Sequence, residues 1–200
     1  MVILYEYGSN LYVNLTNKCP CRCTFCLRQG RDEMDGSGSL WLEREPSAAE
    51  VIDEFKKFDM TRYGELVFCG FGEPTERLDV LLEVADYVKA NYDIPVRVNT
   101  NGLSDLINAA DTAPLFKGRA DVISISLNTP DRDEYFRLTR NKFGPEAFDA
   151  LLRFAGRVKD YVPEVVLTTV GTTITTEQEE RCREICKNLG VKYRIRPFEN

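Results

Sequence analysis

The chain has 200 residues, 43% hydrophobic and 29% charged, a balance that predicts one globular domain with a full core. Its net charge of −6 argues against nucleic acid as the main partner, and the absence of histidine excludes histidine-dependent hydrolysis and histidine metal sites. No stretch reaches the ~20 apolar residues of a membrane-spanning helix, and the N-terminus lacks the pattern of a signal peptide, so a cytoplasmic location is expected.

Strand-like and helical segments alternate along the chain, which is the pattern of parallel β-α units. Six strands are predicted, over residues 11–15, 65–69, 96–100, 121–127, 165–173 and 191–196. Helices are predicted over residues 47–59, 78–91, from 104 onwards, 131–140, 146–159 and 176–189, with a capping box between Ser47 and Glu50 and with Gly190 after the last helix. The fold class is therefore α/β, a partial TIM-type (β/α)6 barrel that is open on one side. Functional residues are expected at the carboxyl ends of its strands.

Four of the seven cysteines lie in the loop after the first predicted strand, between residues 19 and 26. In a reducing compartment this grouping favours metal or redox chemistry over disulfides. Cys19, Cys23 and Cys26 have the spacing Cys-x3-Cys-x2-Cys, and three thiolates from one loop can bind three irons of a cubane cluster. The alternative is a zinc site of all four thiols, although such sites usually combine two Cys-x2-Cys pairs from separate segments.

This loop resembles the signature of the radical S-adenosylmethionine (radical SAM) superfamily, both in spacing and in its place directly after the first strand. The resemblance implies that Cys19, Cys23 and Cys26 hold a [4Fe-4S] cluster and that SAM binds the fourth iron. It implies that Phe25 lies against the adenine of SAM. Cys21 could replace Cys19 or Cys23 as a ligand, but the spacing typical of the family implies that it does not bind the cluster.

The turn after the second predicted strand reads Gly-Phe-Gly-Glu-Pro over residues 70–74. It is similar to the Gly-Gly-Glu-Pro motif of the superfamily, with Phe71 in place of the first glycine. The resemblance implies that Glu73 binds the amino group of SAM, a role that suits a carboxylate because it complements an ammonium. Gly72 is expected to allow a close approach of the backbone.

The third and fourth predicted strands end in polar segments that are similar to SAM-contacting segments of the superfamily. Residues 99–102 read Asn-Thr-Asn-Gly and look like the Thr-Asn-Gly segment of glycyl-radical activating enzymes, where an aspartate often precedes the threonine. Asn99 and Thr100 are candidate SAM contacts, whereas the Asn-Gly pair is assigned to a turn. Ser126 and Asn128 share a strand face and can hydrogen-bond the ribose hydroxyls or the carboxylate of SAM.

Further candidate contacts lie on the last two predicted strands. Thr169 on the fifth strand, and Arg196 with Phe198 at the end of the sixth, occupy positions where the superfamily often contacts adenine or carboxylate. The remaining cysteines are predicted to be buried core thiols: Cys69, Cys182 and Cys186.

The resemblance extends from the first predicted strand to the last, and it is closest to the TatD-associated radical SAM proteins over residues 14–19 and 68–74. It implies reductive cleavage of SAM to a 5′-deoxyadenosyl radical that abstracts hydrogen from an unidentified substrate, with an external electron donor of the flavodoxin or ferredoxin type. Because no segment follows the last strand to close the open side, we expect a protein or another large substrate, or a partner that supplies a lid. The alternatives are a glycyl-radical enzyme activase, a small deazapurine-type synthase, and a non-catalytic zinc- or iron-binding module.

Overall fold

Seven strands form one sheet and lie in it in chain order. The computed structural model describes residues 1–197, so Phe198 lies outside the described residues. The strands are β1 (Leu4–Tyr7), β2 (Asn10–Val13), β3 (Leu66–Phe68), β4 (Val96–Thr100), β5 (Val122–Ser126), β6 (Glu164–Val170) and β7 (Lys192–Arg196). The helices are α1 (Ala48–Glu54), α2 (Leu78–Asn91), α3 (Ser104–Asn108), α4 (Arg132–Thr139), α5 (Glu146–Val158) and α6 (Thr176–Leu189).

Strands β2 to β7 pair in parallel, each with the next, and they are the six strands that the sequence predicts. This arrangement confirms the α/β class and the open partial barrel. The sequence prediction missed β1, which pairs antiparallel with β2 at the edge of the sheet. Tyr7 and Asn10 are partners across a two-residue turn, so a tight hairpin precedes the first parallel strand.

Alternation along each strand separates a helix-facing side from a cavity-facing side. On β4, Val96 and Val98 are fully buried, whereas Arg97 and Asn99, which alternate with them, are half-buried and line the barrel interior. Burial of the apolar face against the helices supplies the main stabilisation of the fold. Helix α5 contributes most to this packing among the helices, with seven buried residues: Ala147, Phe148, Ala150, Leu151, Phe154, Ala155 and Val158.

Several predicted helix signals are confirmed. The side chains of Ser47 and Glu50 form the capping box at the start of α1, and Gly190 follows α6 with a φ of 69°. Helix α1 is shorter than predicted, since it ends at Glu54 and a 3-10 turn follows. Strand β6 is also shorter, because the chain turns at Thr172, where φ is 67°. No helix among residues 1–197 is long and apolar enough to cross a membrane.

Candidate functional site

A cavity of about 500 Å³ lies inside the barrel at the carboxyl ends of the strands. Parallel strands deliver their following loops to one end of the sheet, which is why motifs far apart in sequence meet there. Within the described part of the chain, eleven of the twelve residues predicted for the site line this cavity: Cys19, Cys23, Phe25, Cys26, Gly72, Glu73, Asn99, Thr100, Ser126, Asn128 and Arg196.

The prediction that Thr169 contacts a cofactor is not supported by its position. Thr169 is fully buried and does not line the cavity, and its hydroxyl lies 2.7 Å from that of Tyr193 on the neighbouring strand. Its neighbour Val170 lines the cavity instead. The alternation of side chains along β6 turns Thr169 toward the opposite face of the sheet.

The cysteine loop, residues 16–26, is held by backbone hydrogen bonds to the C-terminal end of α4. The amide of Arg22 donates to the carbonyl of Thr139 at 2.8 Å, and the amide of Thr24 donates to the carbonyl of Leu138 at 2.9 Å. Arg28 adds hydrogen bonds from its guanidinium to three backbone carbonyls around the loop: Asn17, Cys21 and Phe71. The loop therefore has a fixed conformation although it contains no helix or strand.

Within the loop, three thiols contact one another. Cys21 is buried and hydrogen-bonds both Cys19 and Cys23. These bonds lower the pKa of Cys19 and of Cys23 and raise the pKa of Cys21, while burial raises the pKa of Cys26. Asn101 on the neighbouring loop also approaches Cys21, with its Nδ2 3.9 Å from the sulfur. The place of Cys21 outside the ligand set stays a prediction.

Glu73 is buried, with 4% of its surface exposed, and it connects two loops of the site. Its Oε1 accepts hydrogen bonds from the hydroxyls of Thr75 and Thr100 at 2.8 and 2.6 Å, and its Oε2 accepts from the amide of Asn101 at 2.7 Å. Burial raises the pKa of Glu73, and these hydrogen bonds act in the opposite direction. Thr100 thus orients Glu73, a role that the sequence did not predict.

Gly70 and Gly72 allow the turn after β3 to pack directly on the cysteine loop. A Cβ atom at Gly72 would lie 2.1 Å from the carbonyl oxygen of Thr16, and one at Gly70 would lie 2.1 Å from the side-chain oxygen of Asn14. The amide of Glu73 donates to the carbonyl of Lys18 at 2.8 Å across this contact. The close approach predicted for Gly72 is therefore confirmed, and its partner is the cysteine loop.

Two buried oxygens of the cavity wall have no hydrogen-bond partner among the described residues: the side-chain Oδ1 of Asn128 and the hydroxyl of Tyr135. The backbone of Asn128 has a positive φ of 66°, a left-handed conformation that is uncommon for residues other than glycine. Tyr135 on α4 is fully buried, and burial raises its pKa well above the usual value. Since buried polar atoms rarely stay unpaired, both oxygens suit contact with a polar ligand.

Tyr135, two arginines and three tyrosines also line the cavity and were not predicted from the sequence. The arginines are Arg97 and Arg194, and among the described residues Arg97 pairs with Glu65 at 2.9 Å. The charge of Arg97 lowers the pKa of Tyr12, which burial raises more strongly. Three tyrosines of the β1–β2 hairpin also line the cavity: Tyr5, Tyr7 and Tyr12. The alternating sequence of the hairpin was the available signal for these tyrosines.

Residues 13–188 match the family model described as the Radical SAM superfamily. A GTP 3′,8-cyclase of Paenarthrobacter nicotinovorans is 30% identical over 145 residues, which cover 69% of this chain and 38% of that protein. A probable GTP 3′,8-cyclase of Saccharolobus solfataricus is 30% identical over 186 residues, which cover 91% of this chain and 54% of that protein. This chain therefore spans about half the length, or less, of these curated relatives.

Among solved structures, that of Streptococcus suis SuiB bound to S-adenosylmethionine matches with a TM-score of 0.70 at 18% identity. The match covers 97% of this chain and 41% of that one. At this level of identity the likeness bears on the fold, and it agrees with the open parallel barrel described above.

Proposed function

Because the chain belongs to the radical SAM superfamily, we propose that Cys19, Cys23 and Cys26 hold a [4Fe-4S] cluster beside a binding site for SAM. The observation that carries the proposal is that all three cysteines line the same cavity as Glu73 and Asn128. When bound there, these groups would supply reductive cleavage of SAM to methionine and a 5′-deoxyadenosyl radical, which is the chemistry needed to take a hydrogen atom from the substrate. The protein itself contributes binding, orientation and exclusion of water.

The residues present fit these two groups. Three thiols at one wall match three iron ligands, and the buried Asn128 and Tyr135 oxygens offer hydrogen bonds to a polar cofactor. Glu73 Oε2 accepts from Asn101 alone among the described residues and has room for one further donor, such as an ammonium. The zinc alternative has less support, because such sites usually combine two Cys-x2-Cys pairs from separate segments, whereas these four cysteines lie within one loop.

For the substrate we propose an anionic nucleotide of the GTP type. This proposal is consistent with the alternative of a small deazapurine-type synthase. The named relatives are GTP 3′,8-cyclases. Arg97, Arg194 and Arg196 line the cavity, and an excess of guanidinium groups suits a phosphate-bearing ligand. The finer resemblance to TatD-associated proteins and the glycyl-radical activase alternative both stay predictions.

Anaerobic reconstitution with iron and sulfide, followed by SAM and dithionite, tests the proposal. We expect the wild type to form 5′-deoxyadenosine and the Cys23→Ala variant to give only the background level. Cys186→Ala, which removes a buried thiol outside the cavity, is the matched control and should keep the activity. A cluster that never cleaves SAM, or bound zinc in place of iron, would contradict the proposal.

The same assay tests the substrate. We expect added GTP to increase 5′-deoxyadenosine formation and guanosine to have a much smaller effect, because only GTP carries phosphates for the arginines. An equal response to both compounds would contradict the phosphate-binding role of Arg97 and Arg194.

A further inference from the structure

The outer side of the cysteine loop carries a group of exposed basic residues, which we call the α4 basic patch: Arg22, Arg137, Arg140 and Lys142. Backbone hydrogen bonds bring these residues together. The amide of Arg22 donates to the carbonyl next to Arg140, and the amide of Lys142 donates to the carbonyl of Pro20 at 2.9 Å. Exposed basic residues from two distant parts of the chain thus lie on neighbouring segments.

The charges of the patch are largely unneutralised. Within residues 1–197, Arg22, Arg137 and Arg140 make no ion pair with a carboxylate, and Lys142 reaches Glu76 only at 4.0 Å. The chain as a whole has a net charge of −6, so this surface has the opposite sign to the rest of the molecule. The negative end of the α4 dipole favours basic residues in its last turn, but it does not account for Arg22 in the loop or for Lys142 beyond the helix.

The patch lies on the solvent side of the loop whose cysteines face the cavity. Cys21 and Cys23 line the cavity, whereas Arg22 between them is exposed. A single layer of loop backbone therefore separates the patch from the cysteines, and a partner bound there leaves the open side of the barrel free. Phe136 adds an exposed aromatic side chain beside the patch, with 37% of its surface accessible. Exposed aromatic and arginine side chains are typical of protein–protein interfaces.

We propose that the α4 basic patch docks a small acidic electron-transfer protein of the flavodoxin or ferredoxin class. This inference rests on the proposed function, because the electron acceptor is the [4Fe-4S] cluster. The carrier loses one electron and the cluster gains it, and no bond forms or breaks. Opposite charges on the two proteins accelerate their encounter and orient it, as suits a small transient interface.

The test uses reconstituted protein with purified flavodoxin and ferredoxin as the probes. The variant Arg137→Glu/Arg140→Glu reverses two charges of the patch. The matched control is Arg153→Glu/Arg181→Glu, which reverses two exposed charges on α5 and α6 that make no ion pair with any carboxylate in the described part of the chain. Dissociation constants are measured by calorimetry at low and high salt, and 5′-deoxyadenosine is measured with the carrier and, separately, with dithionite.

We expect the patch variant to bind the carrier at least roughly tenfold more weakly than the wild type, with a flatter dependence on salt. Its activity with dithionite should equal that of the wild type, and the control should match the wild type throughout. Equal affinities for the wild type and the patch variant, or a patch that binds single-stranded RNA and neither carrier, would overturn the inference. A wild type that forms no 5′-deoxyadenosine even with dithionite would instead refute the proposed function.

Discussion

At the residue scale, the contact between the turn after β3 and the cysteine loop depends on Gly72. A methyl group there would lie 2.1 Å from the Thr16 carbonyl oxygen and 2.7 Å from that of Lys18. Both are backbone atoms, so relief requires the whole loop to move. We expect Gly72→Ala to lower the free energy of unfolding by about 3 kcal/mol, as measured by urea denaturation.

Gly30→Ala is the matched control for this substitution. No atom lies within 4 Å of a Cβ at Gly30, and its φ of −124° is open to any residue. We expect this variant to stay within ~0.5 kcal/mol of the wild type. Equal stability of the two variants would mean that the loop and the turn are not in rigid contact.

Site residues could be predicted from the sequence where a recognisable motif follows a strand. They could not be predicted where only the burial of a side chain distinguishes it from a core residue. Cys19, Cys23 and Glu73 belong to recognisable segments, and all three line the cavity. Tyr135 could not be found in this way, because a tyrosine at helical spacing resembles an ordinary core residue. Thr169 was named from its place on the fifth strand alone, and strand position does not say which of the two faces lines the cavity.

At the element scale, the start of α1 depends on the ionised side chain of Glu50. It accepts hydrogen bonds from the backbone and hydroxyl of Ser47 at 3.0 and 2.9 Å and from the guanidinium of Arg44 at 2.9 Å. The bond to Arg44, and then those to Ser47, lower the pKa of Glu50 from 4.5 to about 2. A pKa that is lower in the folded state stabilises the protein above the unfolded value, and this contribution is lost as the pH falls through the folded value.

We therefore expect Glu50→Gln to be less stable than the wild type at pH 7, with a difference that shrinks as the pH falls from about 4.5 toward 2. Urea midpoints across this range measure the difference. Glu184→Gln on α6 removes an exposed carboxylate that makes no ion pair within residues 1–197, and it should show no such trend. A gap between Glu50→Gln and wild type that stays constant with pH would contradict the assignment.

The prediction of elements was accurate where periodicity extends over many residues. Helices α2 and α6 have the predicted bounds, as does strand β4. Strand β1, which reads Leu-Tyr-Glu-Tyr, was missed although its aromatic residues favour a strand. Its two-residue turn contains Gly8 with a φ of 60°, and the Gly-Ser pair was the available hairpin signal.

At the scale of the whole molecule, the cysteine loop connects parts of the fold that are far apart in the chain. Its backbone forms hydrogen bonds with Thr139 at the end of α4 and with Glu73 in the turn after β3. The side chain of Arg28, just beyond the loop, donates a hydrogen bond to the carbonyl of Cys21 inside it. A group bound by the three cysteines would therefore resist the separation of these elements on unfolding, so that cofactor assembly and global stability are coupled.

This coupling predicts that reconstitution with iron and sulfide raises the Tm of the wild type. A ligand that binds only the folded state adds stability that grows with its concentration relative to Kd. We expect a rise of about 6 °C, which corresponds to roughly 2 kcal/mol for a chain of this size. Anaerobic calorimetry should give no rise for Cys23→Ala, since a ligand is lost, and the full rise from a lower starting Tm for Cys186→Ala, whose thiol is buried outside the cavity. An unchanged wild-type Tm in a sample that carries the cluster would mean that the loop holds it without strengthening the contacts to α4 and β3.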